Sequence, residues 1–171
     1  MTRASVVSVV ALMFIATSAA CKKNATVDAV ALDSSLVASL ERGPCRGTCP
    51  VYRVELYGDG KVRFDGKQHV GTIGARNGST TAAAVQGFMR SVAASAFASA
   101  DTLFMMGSAG CGSYATDLPV SVLSIKVGSR LKTIQHDPGC RNAPKFLRVL
   151  AAQLDTAAGV AGWIVGPGEK K

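Results

Sequence analysis

Two runs of strictly alternating residues, hinged on Gly58-Asp59-Gly60, constrain this chain more than any other feature. Tyr52, Val54 and Leu56 alternate with Arg53, Glu55 and Tyr57, and Val62 and Phe64 alternate with Lys61, Arg63 and Asp65. A period of two sends the apolar set to one face of a strand and the charged set to the other, as in antiparallel strands that are covered on one side only. The glycines of the hinge supply the positive φ that a tight hairpin needs. A fold for this chain must therefore contain a hairpin whose apolar face needs a second layer.

The rest of the chain supplies partners for that face. Leu36, Ala38 and Leu40 form a weaker alternating run that ends at Arg42-Gly43-Pro44, and a short strand is expected at about His69–Ile73. Ser79-Thr80-Thr81 offers capping hydroxyls for a helix on which Val85, Phe88, Met89, Val92 and Ala96 recur at three- and four-residue spacing. Met106–Thr116 is rich in Gly and Ser and reads as a loop carrying Cys111. Leu123, Ile125 and Val127, a turn at Gly128-Ser129 and a return over Leu131–His136 predict a second hairpin. A second helix is expected from Pro144 to Ala158, with Phe146, Leu147, Leu150 and Leu154 on its apolar stripe. The sum is an α+β fold: an antiparallel sheet of about five or six strands built from hairpins, with two helices packed as a second layer. The single domain spans residues 36–158, followed by a C-terminal tail, 159–171, whose Gly166–Lys171 end has no pattern of its own.

The N-terminus reads as an export signal. Arg3 precedes the apolar run Val6–Ala16, which is too short to span a bilayer of about 30 Å at 1.5 Å per residue. Small residues, Ser18-Ala19-Ala20, lead directly into Cys21. Ser18 and Ala20 suit ordinary signal peptidase, whereas a Cys after small residues resembles the lipobox, although Ser18 stands where Leu is usual. The chain has five cysteines, and an oxidising compartment leaves one of them over unless Cys21 is the lipidation site. The preferred reading is a signal peptide over 1–20, an acylated Cys21 and a tether over 21–35, with plain secretion as the alternative. Lys22, where an Asp would retain the protein at the inner membrane, points to the outer membrane facing the periplasm.

Cys45, Cys49, Cys111 and Cys140 admit three pairings. Cys45–Cys49 with Cys111–Cys140 is favoured because each bridge closes a loop around one half of the sheet. The alternative is zinc: Cys45-x3-Cys49 with His136-x3-Cys140 has suitable ligand types and spacing but leaves Cys111 unpaired. The C-x3-C spacing argues against a redox role, although Arg46 between the sulfurs favours a thiolate.

The block Glu41-Arg42-Gly43-Pro44-Cys45-Arg46-Gly47-Thr48-Cys49-Pro50-Val51-Tyr52, followed by Tyr57-Gly58-Asp59-Gly60-Lys61-Val62, resembles an uncharacterised family of bacterial envelope proteins catalogued only as a domain of unknown function. Thr116-Asp117-Leu118-Pro119, His136-Asp137-Pro138-Gly139-Cys140 and the helix ending Leu154-Asp155 are similar to its second half. The resemblance implies one small domain, often behind a lipoprotein signal, and brings no activity, cofactor or catalytic residue.

The formal net charge of +8 invites a nucleic-acid reading, but Arg53, Lys61, Arg63, Lys67, Lys126 and Lys132 are scattered along strand outer faces without aromatic interleaving. They read as a solvated face, with attraction to anionic envelope polymers as the functional alternative. No phosphate loop, H-E-x-x-H or G-x-S-x-G is present. Both histidines read as strand-edge residues, and Tyr52 as core. The candidate binding residues are Arg42 and Arg46 around the Cys45–Cys49 turn, with Asp117 and His136. The expected function is a lipid-anchored envelope binding module without cofactor or metal. The alternatives are an envelope hydrolase using Asp117 and His136, or an inhibitor of a secreted enzyme. Charge reversal at Arg42 and Arg46 is expected to abolish binding while leaving the fold intact.

Overall fold

The computed structural model describes residues 33–165. The export signal, Cys21, most of the tether and the Gly166–Lys171 end lie outside the described residues. Seven strands form one sheet: β1 (Leu36–Arg42), β2 (Val51–Tyr57), β3 (Lys61–Gln68), β4 (Gly74–Ser79), β5 (Leu103–Phe104), β6 (Ser121–Val127) and β7 (Arg130–His136). Helices α1 (Ala82–Ala93), α2 (Lys145–Ala158) and α3 (Ala161–Ile164) complete the fold. The sheet order is β4-β3-β2-β1-β6-β7-β5, antiparallel throughout except for β5, which runs parallel to β7. The α+β expectation holds, with seven strands against the five or six expected and one parallel pairing.

Register follows from the alternation. Leu40 faces Val54 on one side and Leu123 on the other, Val54 faces Phe64, and Leu123 faces Ile134. One apolar row thus crosses five strands. The two hairpins, β2–β3 and β6–β7, join through β1, which lies between them and pairs with both. Central placement explains why the run that looked weakest in sequence is the most buried: Val37, Ala38, Leu40 and even Ser39 are inaccessible or nearly so. In the first turn Gly60 takes φ +85° and donates its N–H to the Tyr57 carbonyl, as the glycine-rich hinge required.

Helix α2 packs on β1 and β2, and α1 packs on α2. Thr81 caps α1, its Oγ1 accepting the Ala84 N–H at 3.1 Å, and Gly159 ends α2 with φ +69°. Val85, Phe88 and Val92 face inward from α1, and Leu147, Leu150, Ala151, Leu154 and Ala158 from α2. Ala96, expected on the first helix, lies beyond its end, and the buried Phe97 takes the inward position there.

Four expectations need correction. The strand placed at His69–Ile73 is the connection between β3 and β4, where His69 adopts φ +52°; pairing resumes only at Gly74. Strand β5 was not foreseen, because two residues are too few to show a period. Lys132 does not lie on the outer face: it pairs with Ile125 on the covered side and donates to the carbonyls of Ala98 and Ala100. The domain also continues past Ala158. The Thr72 N–H bonds the Trp163 carbonyl at 2.9 Å, and the Trp163 ring lies 5.6 Å from Phe64. A Cβ on Gly78 would come within 2.7 Å of that indole, so the only tryptophan closes the covered face over β3 and β4.

Candidate functional site

On β1, β2, β3 and β6 the covered face is apolar until its last row. There the register sets Tyr52 opposite Arg42, Arg42 opposite Ser121, and Ser121 opposite His136. Four polar side chains on neighbouring strands thus share one end of a largely apolar surface. They occupy that end because β1 stops at Arg42, the chain then entering the Gly43-Pro44-Cys45 loop.

Asp155, on α2, meets this row from above. Arg42 donates from Nε to Tyr52 Oη at 2.7 Å and from Nη2 to Asp155 Oδ2 at 2.9 Å. Tyr52 Oη donates in turn to Asp155 Oδ2 at 2.8 Å. The side chains of Arg42 and Asp155 are 28% and 17% exposed, so this is a half-buried ion pair with a phenol set between its members. Burial, and then the Asp155 carboxylate, push the Tyr52 phenol well above its ordinary range, which keeps it protonated and a donor. Burial works against the Arg42 charge, but Tyr52 and Asp155 more than offset this and raise its pKa.

Beside the triad is a cleft of about 450 Å³. Arg42 and Tyr52 form its floor. Ala152, Asp155 and Thr156 of α2 make one wall, Cys49, Pro50 and Pro119 a second, and Ala161, Ile164 and Val165 a third. The arrangement is a mostly apolar hollow with a few convergent polar groups, in the size range of small-ligand sites. Among the described residues, Arg42 Nη1 has no protein partner, so its two N–H groups are the donors this floor retains.

Both cysteine pairs are disulfides, Cys45–Cys49 and Cys111–Cys140, in the favoured pairing. The zinc alternative fails on donor chemistry, because Cys45, Cys49 and Cys140 have no thiolate to offer. The first loop is clipped to the segment before β6: the Gly43 N–H donates to the Val120 carbonyl at 2.8 Å and the Arg46 N–H to Asp117 at 3.4 Å. The second bridge is buried, with Cys111 at 1% and Cys140 at 3% exposure. It fastens Cys111–Ala115 to Gly139–Asn142 alongside three backbone hydrogen bonds.

The four candidate residues therefore separate. Arg42 lines the cleft. Arg46 points outward at 84% exposure, 4.0 Å from the Asp117 carboxylate. Asp117 is exposed with φ +76° and accepts from Thr116 Oγ1. His136 is 4% exposed, and no hydrogen bond or ion pair joins it to Asp117 among the described residues. The geometry does not assemble the acid–base pair on which the hydrolase alternative depends. Nor is Arg42 a free surface charge, so reversing it disturbs the triad; only Arg46 meets the expectation of a change that spares the fold.

Sequence reasoning missed Asp155 as a site residue and a second acidic latch, Asp137. Asp137 is 3% exposed; its Oδ2 accepts from Tyr114 Oη at 2.6 Å and its Oδ1 from the Gly139 N–H at 2.8 Å. Asp-Pro-Gly at a strand end signals such a turn. The Tyr114 partner, 23 residues earlier, has no local signal.

The basic residues of the open face do not form a free patch. Arg53 contacts Glu41 at 3.6 Å and Glu55 at 2.9 Å, Lys61 contacts Asp59 at 2.7 Å, and Arg63 lies over the Tyr57 ring. This is a solvated face of mixed charge.

His136 supplies a pH dependence. Burial and the nearby Arg148 hold its imidazole below the usual histidine range, against an opposing pull from Asp137. Below about pH 6.5 the unfolded chain takes up a proton that the native state refuses, so stability falls as pH drops through that window and levels off below the depressed native pKa. His136→Gln should flatten denaturation-derived stability over that interval, removing a slope of at most about 1.4 kcal/mol per pH unit. An unchanged slope would place the titration elsewhere.

Fold and site together define a disulfide-braced α+β domain with a polar-floored cleft at one end of its sheet. The chain belongs to the family described as Domain of unknown function (DUF6438), whose model matches residues 37–158. No curated protein matches the chain.

Proposed function

We propose that this protein is an exported, lipid-anchored envelope module that binds an extended segment of another envelope protein in the Arg42 cleft. The supporting observation is the cleft itself, a hollow with aliphatic and proline walls whose single cationic donor is already paired with Asp155. A charge-balanced floor does not favour an anionic polymer. It suits a neutral acceptor such as a peptide carbonyl, with an aliphatic side chain against Ile164, Val165 and the prolines. Carbohydrate fits less well, because the one ring on the floor, Tyr52, is stacked on Phe64 and covered by Arg42. The two disulfides and the apolar leader ending at Cys21 accord with export.

A panel of capped, uncharged pentapeptides with central Leu, Ile, Pro or Asp tests the binding reading by nuclear magnetic resonance. Aliphatic peptides should shift the Arg42 side-chain signal and the Ala152 and Thr156 amides, and Ala152→Trp should abolish those shifts. A preference for the Asp peptide, or shifts indifferent to Ala152→Trp, would sink it. The intact mass of the protein from its native membrane tests the anchor: residues 21–171 plus acyl groups are expected, and an unacylated chain would restore plain secretion.

A further inference from the structure

The two disulfides have opposite surroundings, and this difference goes beyond the binding reading. Cys111 and Cys140 are sealed at 1% and 3% exposure under a network of backbone hydrogen bonds. Cys45 and Cys49 are both partly exposed, the three residues between them are exposed, and Cys49 borders the open cleft. Arg46, 84% exposed, directly follows Cys45.

We propose that Cys45–Cys49 is a thiol–disulfide exchange site for low-molecular-weight thiols, while Cys111–Cys140 is a permanent brace. A thiolate must approach a disulfide along the S–S axis, so access decides which bridge reacts. The cleft admits a small thiol to Cys49. Its sulfur bonds to Cys49 Sγ, the Cys45–Cys49 bond breaks, and the electron pair leaves on Cys45 Sγ as a thiolate that water protonates. A second thiolate attacks the external sulfur of the mixed disulfide and releases Cys49, which takes up a proton. Two thiols are thereby oxidised to one disulfide, and the Cys45–Cys49 pair gains two electrons and two protons. The C-x3-C spacing argues against a dedicated oxidoreductase; an exposed bridge that small thiols can open needs no such motif.

The test uses the purified, oxidised protein in graded mixtures of reduced and oxidised glutathione, quenched in acid, alkylated and read by peptide mass spectrometry, with near-ultraviolet circular dichroism followed in parallel. Cys45 and Cys49 should become alkylated at a glutathione poise roughly tenfold more oxidising than Cys111 and Cys140 require. The tertiary signal should persist when only the first pair is open. In Cys45→Ser, free Cys49 should take up one glutathione. Opening of both pairs together, prior opening of Cys111–Cys140, or a Cys49 that resists glutathionylation in Cys45→Ser would overturn the proposal.

Discussion

Arg42→Met is expected to lower the unfolding free energy by about 2–3 kcal/mol, and Asp155→Leu by a similar amount, while the double variant loses clearly less than the sum. Breaking a fully buried ion pair from one side costs about 3–5 kcal/mol. The expectation here is smaller because Arg42 and Asp155 keep 28% and 17% of their side-chain surface in water. Each single change leaves two members of a three-way contact arranged for a group that is gone. The double change removes charge from both sides, and apolar replacements of similar length can pack against Ala152 and Ile164. Tyr52→Phe takes away the acceptor for Arg42 Nε and a donor to Asp155, at about 1–2 kcal/mol. Urea denaturation in a double-mutant cycle reads the coupling, expected to be at least about 1 kcal/mol. Additivity within about 0.5 kcal/mol would mean that the three residues do not act as a unit. Arg46→Glu is the control, and with Arg46 84% exposed it should stay within about 0.5 kcal/mol of the parent.

This triad also marks the boundary of what the sequence could reveal. Alternation along Tyr52–Tyr57 and Lys61–Asp65 placed the first hairpin and its covered face, and Tyr52, read there as core, is 2% exposed. Arg42 was singled out for its position at the loop, but its partner Asp155 lies 113 residues away. Nothing in a one-dimensional pattern ties the end of a strand to the last turn of a late helix. The only local hint was that Asp155 adjoins Leu154 and falls four residues after Ala151, next to the buried stripe of α2. The position of β1 was hidden for a related reason: a strand becomes central through pairings on both sides, and those depend on β6, more than seventy residues later. Trp163 illustrates the opposite limit. A four-residue helix has no periodicity, so a large ring that packs alone is indistinguishable in sequence from one in a tail. What the sequence did carry was chemistry set by neighbours: turns, caps, the two alternating hairpins and the cysteine pairing.

The cysteine pairing gives the other large effect. Cys111→Ala with Cys140→Ala should destabilise the protein by about 3.6 kcal/mol, whereas Cys45→Ala with Cys49→Ala should cost about 2 kcal/mol. The difference follows from loop length. The bridges span sequence separations of 29 and 4, and the conformational freedom that a crosslink removes from the unfolded chain grows with the logarithm of the loop it closes. Position in the fold adds to the contrast. The long bridge passes through buried sulfurs and holds together segments that also carry the Tyr114–Asp137 hydrogen bond and the Tyr114–Cys140 pairing. Its removal should loosen both. The short bridge shapes a surface turn that two backbone hydrogen bonds to Asp117 and Val120 continue to hold. Thermal denaturation of the two double variants should therefore show a midpoint loss of roughly 10–15 °C for the long bridge and about half that for the short one. Equal losses would mean that strain or residual structure in the unfolded chain outweighs loop closure. A larger loss for the short bridge would move the structural centre of the domain from the β7–α2 junction to the rim of the cleft.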